Sequence, residues 1–393
     1  MVQSCPDASP VKWHQAHTTW FFETFVLRPF LVDYKPFREE FHRLFNSYYL
    51  CLGEEIPEKH LRASFSRPSL DEVLSFRAYV DEEMGRMLSR CVDEEASRRI
   101  VLGLNHEQQH QELALTDIKH AFFSNPLHPA YGQVSLAHED ERPSHQLRWH
   151  SFPGGLIEIG QPADDACGRE FFFDNETPRH KVYLEPFQMA NREVTCREYL
   201  EFISDDAYTS SLLWLSEGWE TVKRLGWEAP LYWERDPSDE TAWRVFTLNG
   251  WYGVSELLDT PVCHISFFEA DAFARWRGCR LPTEAEWECV ASPEPVRGNL
   301  LDNGRLHPAA ANGEGIDQLF GDCWEWTASA YTGYPGYRPL AGALGEYNGK
   351  FMSGQMILRG GSCVTPSDHV RATYRNFFQP ATRWQFTGIR LAI

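Results

Sequence analysis

The sequence is short of positive charge: 37 Lys and Arg face 56 Asp and Glu, a formal net charge of -19 over 393 residues. An acidic surface repels phosphate backbones and anionic headgroups alike, so neither nucleic acid nor a membrane is expected as a partner. Long apolar runs are also missing. No window approaches 18 apolar residues without a charge, which argues against a spanning helix. Met1 to Pro10 carry no basic stretch followed by an apolar one, so no secretory leader is read there and a cytoplasmic protein is expected. The 10 cysteines form no C-x-x-C and no close pair. In a chain this long they read as reduced structural thiols rather than a disulfide framework. There is no internal repeat and no low-complexity segment.

Apolar material is plentiful, at 42% of residues, and 14 Trp and 26 Phe exceed what a disordered chain carries. The length suggests two or three domains, each able to bury a core. The texture changes near residue 125. Before it, apolar residues recur at helical spacing over 9–28, 35–52, 69–91 and 93–123, with Ser69 a candidate N-cap for the third stretch. Four such helices joined by loops predict an up-and-down bundle over residues 1–125. Asn125-Pro126-Leu127-His128-Pro129 breaks the pattern and opens a linker, 126–151. From Phe152 to the end, short apolar pieces (Gly155–Ile159, His180–Leu184, Met356–Leu358) alternate with Gly, Pro, Asn and Asp turns. Only two stretches look helical, Arg192–Ser204 and Ser266–Arg277 continuing as Leu281–Val290. This mixture predicts an α+β domain over 152–393.

The sharpest local signal is Asn105-His106-Glu107-Gln108-Gln109-His110-Gln111-Glu112 on the fourth predicted helix. Residues four apart share a helix face, so His106 and His110 can aim two imidazoles at one ion. The first helix offers more in Trp13-His14-Gln15-Ala16-His17-Thr18, where only one of His14 and His17 need be a ligand. First and fourth helices are neighbours in an up-and-down bundle, so a three-histidine site can form. Imidazole suits zinc, iron and copper, and spacing alone does not choose among them. His60, His120 and His128 have no partner pattern and read as structural. The run His106 to His110 also satisfies His-Glu-x-x-His, the zinc-peptidase pattern with Glu107 as base. No metzincin continuation follows it, and a glutamate ligand from a later helix would lie beyond the Pro126–Pro129 break.

The pairing of His106, His110 and Glu112 with Trp13-His14-Gln15-Ala16-His17-Thr18 resembles the DinB-like helical domain of the ergothioneine sulfoxide synthases. The second half is similar to the formylglycine-generating-enzyme (sulfatase-modifying factor) domain of that family. Matching pieces are Gly154–Gly160, Asn191–Thr195, Arg280–Glu288, Trp324–Thr327, Leu358–Ser362 and the closing Arg375–Phe378 and Gly388–Ala392. The resemblance covers nearly the whole chain, and it implies a lectin-like α+β fold for the second domain. Formylglycine generation relies, in that family, on two cysteines near the C-terminus, and none follows Cys363 here.

The resemblance implies Fe(II) held by His17, His106 and His110, with hercynine, a thiol donor and dioxygen as substrates. By motif position Gln109 and Asn376 are expected to contact hercynine, whose trimethylammonium suits an aromatic surround. Tyr48 and Tyr49, in Asn46-Ser47-Tyr48-Tyr49, match the adjacent tyrosines that deliver a proton in members using free cysteine. A phenol of ordinary pKa is protonated at neutral pH and suits that role. Phe377 and Phe378 stand where members that bind glutamylcysteine carry an acid. Ser353-Gly354 replace a Cys-Asn pair of the cysteine-using members, and Glu58–Phe65 replaces a segment richer in Arg and Gly. Both departures leave room for another donor. The related selenoneine synthase joins hercynine to a selenosugar and is the alternative reading. A zinc peptidase and a non-catalytic module binding a small cation complete the set of hypotheses.

Overall fold

The computed structural model describes residues 2–53, 56–90, 92–132, 134, 136, 146–163, 171–312 and 315–393. The chain divides into two compact units. One holds residues 1–125 together with 166–173 and 339–349, and the other holds the remainder.

The first unit is helical. Helix α1, Val11–Phe22, continues through a π-helical turn at Glu23–Leu27 and a last turn at Arg28–Phe30. Almost every α1 side chain from Trp13 onward is buried, which suits a central helix packed on more than one side. It packs against both long helices that follow, α3 (Leu70–Leu88) and α4 (Glu94–Phe123). Each of these starts on a cap read directly from sequence chemistry. The Ser69 hydroxyl accepts the Glu72 N–H while the Glu72 carboxylate accepts the Ser69 N–H, and the Asp93 side chain accepts the Ala96 N–H.

The expected helix over 35–52 is mostly absent. A short helix α2, Glu39–Leu44, forms, and a single 3-10 turn follows at Leu50–Leu52. The Asn46 side chain then takes over the backbone: its Oδ1 accepts the N–H groups of Tyr48 and Tyr49 at 3.2 and 2.9 Å, and its amide donates to Tyr49 O at 3.0 Å. An asparagine that satisfies neighbouring peptide groups in this way competes with helix continuation. Tyr48 and Tyr49 therefore sit in a turn beyond the helix, not at its end.

The second unit mixes short strands and helices. Strand β1 (Trp149–Phe152) runs antiparallel to β4 (Phe187–Glu193), which also pairs with the C-terminal β14 (Arg390–Ala392). Between them β2 (Gly155–Ile159) and β3 (His180–Leu184) form an antiparallel pair, and further on β8 (Gly298–Asn299) and β9 (Phe320–Gly321) form a short parallel one. A four-stranded sheet has the order β12 (Asn376–Phe378), β11 (Met356–Arg359), β10 (Trp324–Ala330), β13 (Thr387–Gly388). The core beneath gathers Ile159, Leu184, Met189, Trp287, Leu319 and Phe320. Two buried ionic clusters run through it: Arg390 on Glu325 at 2.7 Å, and Glu284 between Arg359 (3.0 Å) and Arg375 (2.9 Å).

Three expectations for this unit need correction. Residues 126–151 are not a plain linker: the N–H groups of Tyr131 and Gly132 both donate to Leu248 O, and Trp149 already opens β1, while 137–145 lie outside the described residues. The helix expected over 192–204 begins at Cys196, because Thr195 and Glu198 form a capping box and the residues before them belong to β4. A further helix, Ser216–Leu225, and a meander of β5 (Trp233–Asp236), β6 (Asp239–Thr247) and β7 (Gly250–Gly253) also exist. That helix stops at Gly226, whose φ of +63° is left-handed.

Candidate metal centre

Helices α1 and α4 bring His17, His106 and His110 together, each offering a nitrogen within 4.8 Å of the others. The ring centroids lie 5.0 Å (His17–His106), 4.9 Å (His17–His110) and 4.6 Å (His106–His110) apart. His106 and His110 share a face because they are one helical turn apart. His17 is flanked on its own helix by Trp13 and Trp20, with nearly parallel rings at 4.6 and 5.4 Å. Its Nδ1 lies 2.7 Å from Phe45 O, so Nδ1 carries the proton and donates, leaving the Nε2 lone pair. Among the described residues that buried Nε2 has no hydrogen-bond partner, and neither does Nδ1 of His106. Buried polar atoms without partners are rare, and here two of them occur in one cluster.

Electrostatics keep these rings neutral. Burial, followed by the charge of its neighbour His106, lowers the pKa of His17 well below the usual imidazole value. Burial, then His14, brings that of His106 down to about 3. His110 is only partly buried by surface area, yet desolvation and its three histidine neighbours lower it in the same direction. A metal ligand must be unprotonated, so the cluster is ready for a cation at neutral pH. The donor set fits a divalent transition metal: three imidazole nitrogens and, among the described residues, no carboxylate or thiolate in the group.

His14, the other candidate on α1, touches the cluster without joining the ligand group. Its Nε2 is 3.0 Å from Asp117 Oδ2 and its Nδ1 is 2.7 Å from Nδ1 of His110. Glu107 is committed away from the cluster: Arg77 Nη1 donates to both its oxygens, at 2.9 and 3.0 Å. With its would-be base tied to Arg77 and no acid among the candidate ligands, the zinc-peptidase reading fails on geometry.

Several groups surround the histidines. The hydroxyl of Tyr347 donates to Gln109 Oε1, and its ring centroid is 5.6 Å from that of His106. Tyr347 belongs to the 339–349 segment of the helical unit, where Phe173 stacks on it at 5.6 Å. The preceding residue, Glu346, accepts the N–H groups of Leu50 and Cys51 at 3.1 and 2.8 Å, just after the tyrosine turn. Tyr49 is fully buried, stacked on Tyr48 at 4.6 Å and 5.6 Å from Trp20. Burial, reinforced by Tyr48 and Tyr347, raises its phenol well above the ordinary pKa. Arg62 lies with its guanidinium 3.5 Å over the Trp13 ring and donates to Ser9 Oγ at 2.9 Å. It is 6% exposed and, among the described residues, makes no ion pair within 4.0 Å. Tyr347, Arg62 and Asp117 were not anticipated from the sequence.

The other expected substrate residues belong to the second unit. Asn376, Phe377 and Phe378 form β12, and Ser353 and Gly354 occupy an exposed bend just before its partner β11. Asn376 Oδ1 accepts the Phe377 N–H at 2.9 Å. Phe377 stacks on Tyr331 at 4.0 Å, and Phe378 meets Trp384 edge-on at 5.4 Å. Among the described residues no helix is long and apolar enough to cross a membrane.

Residues 134–302 and 303–393 match the sulfatase-modifying factor enzyme 1-like domain. Over 423 aligned residues, 98% of this chain and 91% of the relative, the chain is 29% identical to the hercynine oxygenase of Mycolicibacterium smegmatis. It is 34% identical over 256 residues to that of Mycobacterium tuberculosis, a match covering 58% of this chain and 57% of that protein. It is also 25% identical to ergothioneine biosynthesis protein 1 of Schizosaccharomyces pombe, over 86% of this chain and 44% of that one.

Proposed function

This chain belongs to the sulfatase-modifying factor enzyme 1-like family and groups with its hercynine oxygenases, and from that premise we propose an Fe(II)- and O2-dependent enzyme joining hercynine to a thiol or selenol. The observation that carries the reading is the donor set on the helical unit: three imidazoles and, among the described residues, no acid in the group. His17, His106 and His110 would hold the iron. Bound Fe(II) supplies the one-electron chemistry by which dioxygen attacks closed-shell substrates.

The chain's own residues do the rest. Gln109, with its carbonyl fixed by the Tyr347 hydroxyl, presents an oriented amide next to the ligand His110 and is assigned to hercynine. Aromatic rings around the cluster suit the trimethylammonium. Arg62, a buried cation one ring away from His17, suits a substrate carboxylate. Tyr49 holds its phenolic proton throughout the physiological range and, with Tyr48, delivers it as oxygen is reduced. With a thiol the balance closes simply: an imidazole C–H, an S–H and O2 become a C–S bond, a sulfoxide oxygen and one water.

The test is anaerobic loading with Fe(II), then air, hercynine and either cysteine or selenoglucose, with products read by mass spectrometry. A hercynine–cysteine adduct with one extra oxygen supports the sulfoxide-forming reading. A hercynine–selenium product with cysteine idle makes the enzyme a selenoneine synthase. No oxygen uptake with either donor, or full activity in His110→Ala, overturns the proposal.

A further inference from the structure

Two of the three clustered histidines are held by a contact at Nδ1. For His17 the partner is a backbone carbonyl, Phe45 O, which only accepts. For His110 the partner is another histidine, His14, at 2.7 Å, and a histidine can either donate or accept. What decides between the two lies one step further out. His14 Nε2 is 3.0 Å from Asp117 Oδ2, and that oxygen also accepts the Ser9 N–H at 2.7 Å. An oxygen that accepts a backbone N–H faces His14 as an acceptor too, so the His14 proton sits on Nε2 and its Nδ1 presents a lone pair. His110 must then donate from Nδ1, which leaves its Nε2 without a proton. His14 and Asp117 are both buried, at 5% exposure each, so water offers little competition for these bonds.

We propose that Asp117 and His14 are positioning residues for the metal centre: through the chain Asp117–His14–His110 they set the tautomer and ring orientation that make His110 Nε2 a ligand. The proposal rests on the reading of His17, His106 and His110 as a metal site. It assigns His14 a task that explains why a fourth histidine stands beside the cluster without joining it. The reverse orientation, with His14 donating, would put the His110 proton on Nε2 and block the ligand. Partners of this kind outside the ligand set typically govern metal affinity by about 10- to 100-fold.

The experiment uses full-length apo-protein titrated anaerobically with Co(II), whose visible bands report coordination, in competition with a chromophoric chelator. His14→Ala is expected to weaken Co(II) binding about 10- to 100-fold and alter the bands, with added imidazole restoring both. Asp117→Asn, which keeps size and removes charge, is expected to move both in the same direction by less. Far-UV circular dichroism of each apo variant checks the fold. If His14→Ala does not fold, Asp117→Asn decides, and wild-type affinity and spectrum there overturn the proposal. Wild-type binding by a folded His14→Ala overturns it directly, and so does weakened binding that imidazole cannot restore. His110→Ala separates the two layers. If it binds Co(II) like wild type, the metal-site reading itself falls; if it alone loses the metal, only the relay does.

Discussion

Replacing Arg62 with methionine ought to make the protein more stable and less active. The guanidinium is 6% exposed and has no acidic partner within 4.0 Å among the described residues. Desolvation accordingly lowers its pKa to about 10, well below the ordinary guanidinium value, against a partial counter-effect from Asp117. At about 1.4 kcal/mol for each tenfold change in acidity, keeping the charge inside costs the fold about 3 kcal/mol. Against that stand the Ser9 hydrogen bond, about 1 kcal/mol, and the contact with the Trp13 ring, also about 1 kcal/mol. Arg62→Met gives up both contacts and removes the charge, a net gain of about 1 kcal/mol. For a helical unit of this size that is a rise in Tm of about 3–4 °C.

The sign also fixes the pH behaviour. The folded-state pKa is depressed and the group is a cation, so the penalty is complete below pH about 10 and fades only above it. Differential scanning calorimetry should therefore find the same stabilisation at pH 6 and pH 8. A lost charge-assisted contact to a substrate carboxylate, about 1.5–3 kcal/mol, should meanwhile raise KM by about 10- to 100-fold. A variant destabilised by more than about 2 kcal/mol would refute the energetics. An unchanged KM for both organic substrates would refute the assignment of Arg62 to a carboxylate.

Tyr49→Phe and Tyr48→Phe should shift product from carbon–chalcogen coupling toward oxidation of the donor alone; wild-type product ratios in both would remove the tyrosines from proton delivery. Tyr347→Phe deletes one hydrogen bond to Gln109, about 0.5–1.5 kcal/mol, so the KM for hercynine should rise about 3- to 10-fold, and an unchanged value would separate Gln109 from that substrate. Glu284→Ala leaves Arg375 without a carboxylate within 4.0 Å among the described residues, while Arg359 keeps only Glu288 at 3.0 Å, and should cost about 3–5 kcal/mol, seen as a lower midpoint in denaturant; a loss under about 1 kcal/mol would mean the cluster relaxes to water.

The histidines that spacing singles out are those the structure gathers, because i, i+4 on a long capped helix is a local relation. Asp117 was legible in principle, since it lies seven residues after His110 and returns to the same face of α4. Tyr347 was not: its bond to Gln109 joins positions 238 apart, and no periodicity announces such a contact. The tyrosine turn was misread because apolar spacing over 35–52 looks helical, while one asparagine side chain diverts the backbone. Strands β2 and β3 stood out as apolar pieces bounded by turns. The meander β5–β7 did not, because Trp243 and Trp251 are only partly buried and sit under arginines rather than in an alternating apolar face.

The helical unit is discontinuous in the chain, since residues 339–349 return to it after most of the second unit has been laid down. On the ribosome, the first 125 residues emerge without Tyr347 or Glu346, so the histidines wait for the polypeptide to be nearly finished before those neighbours arrive. A gene cut at residue 125 would yield a fragment that keeps every imidazole of the cluster yet lacks the phenol that orients Gln109. Shuffling of the two halves by recombination is thereby penalised, and the pair is expected to be inherited as a single reading frame.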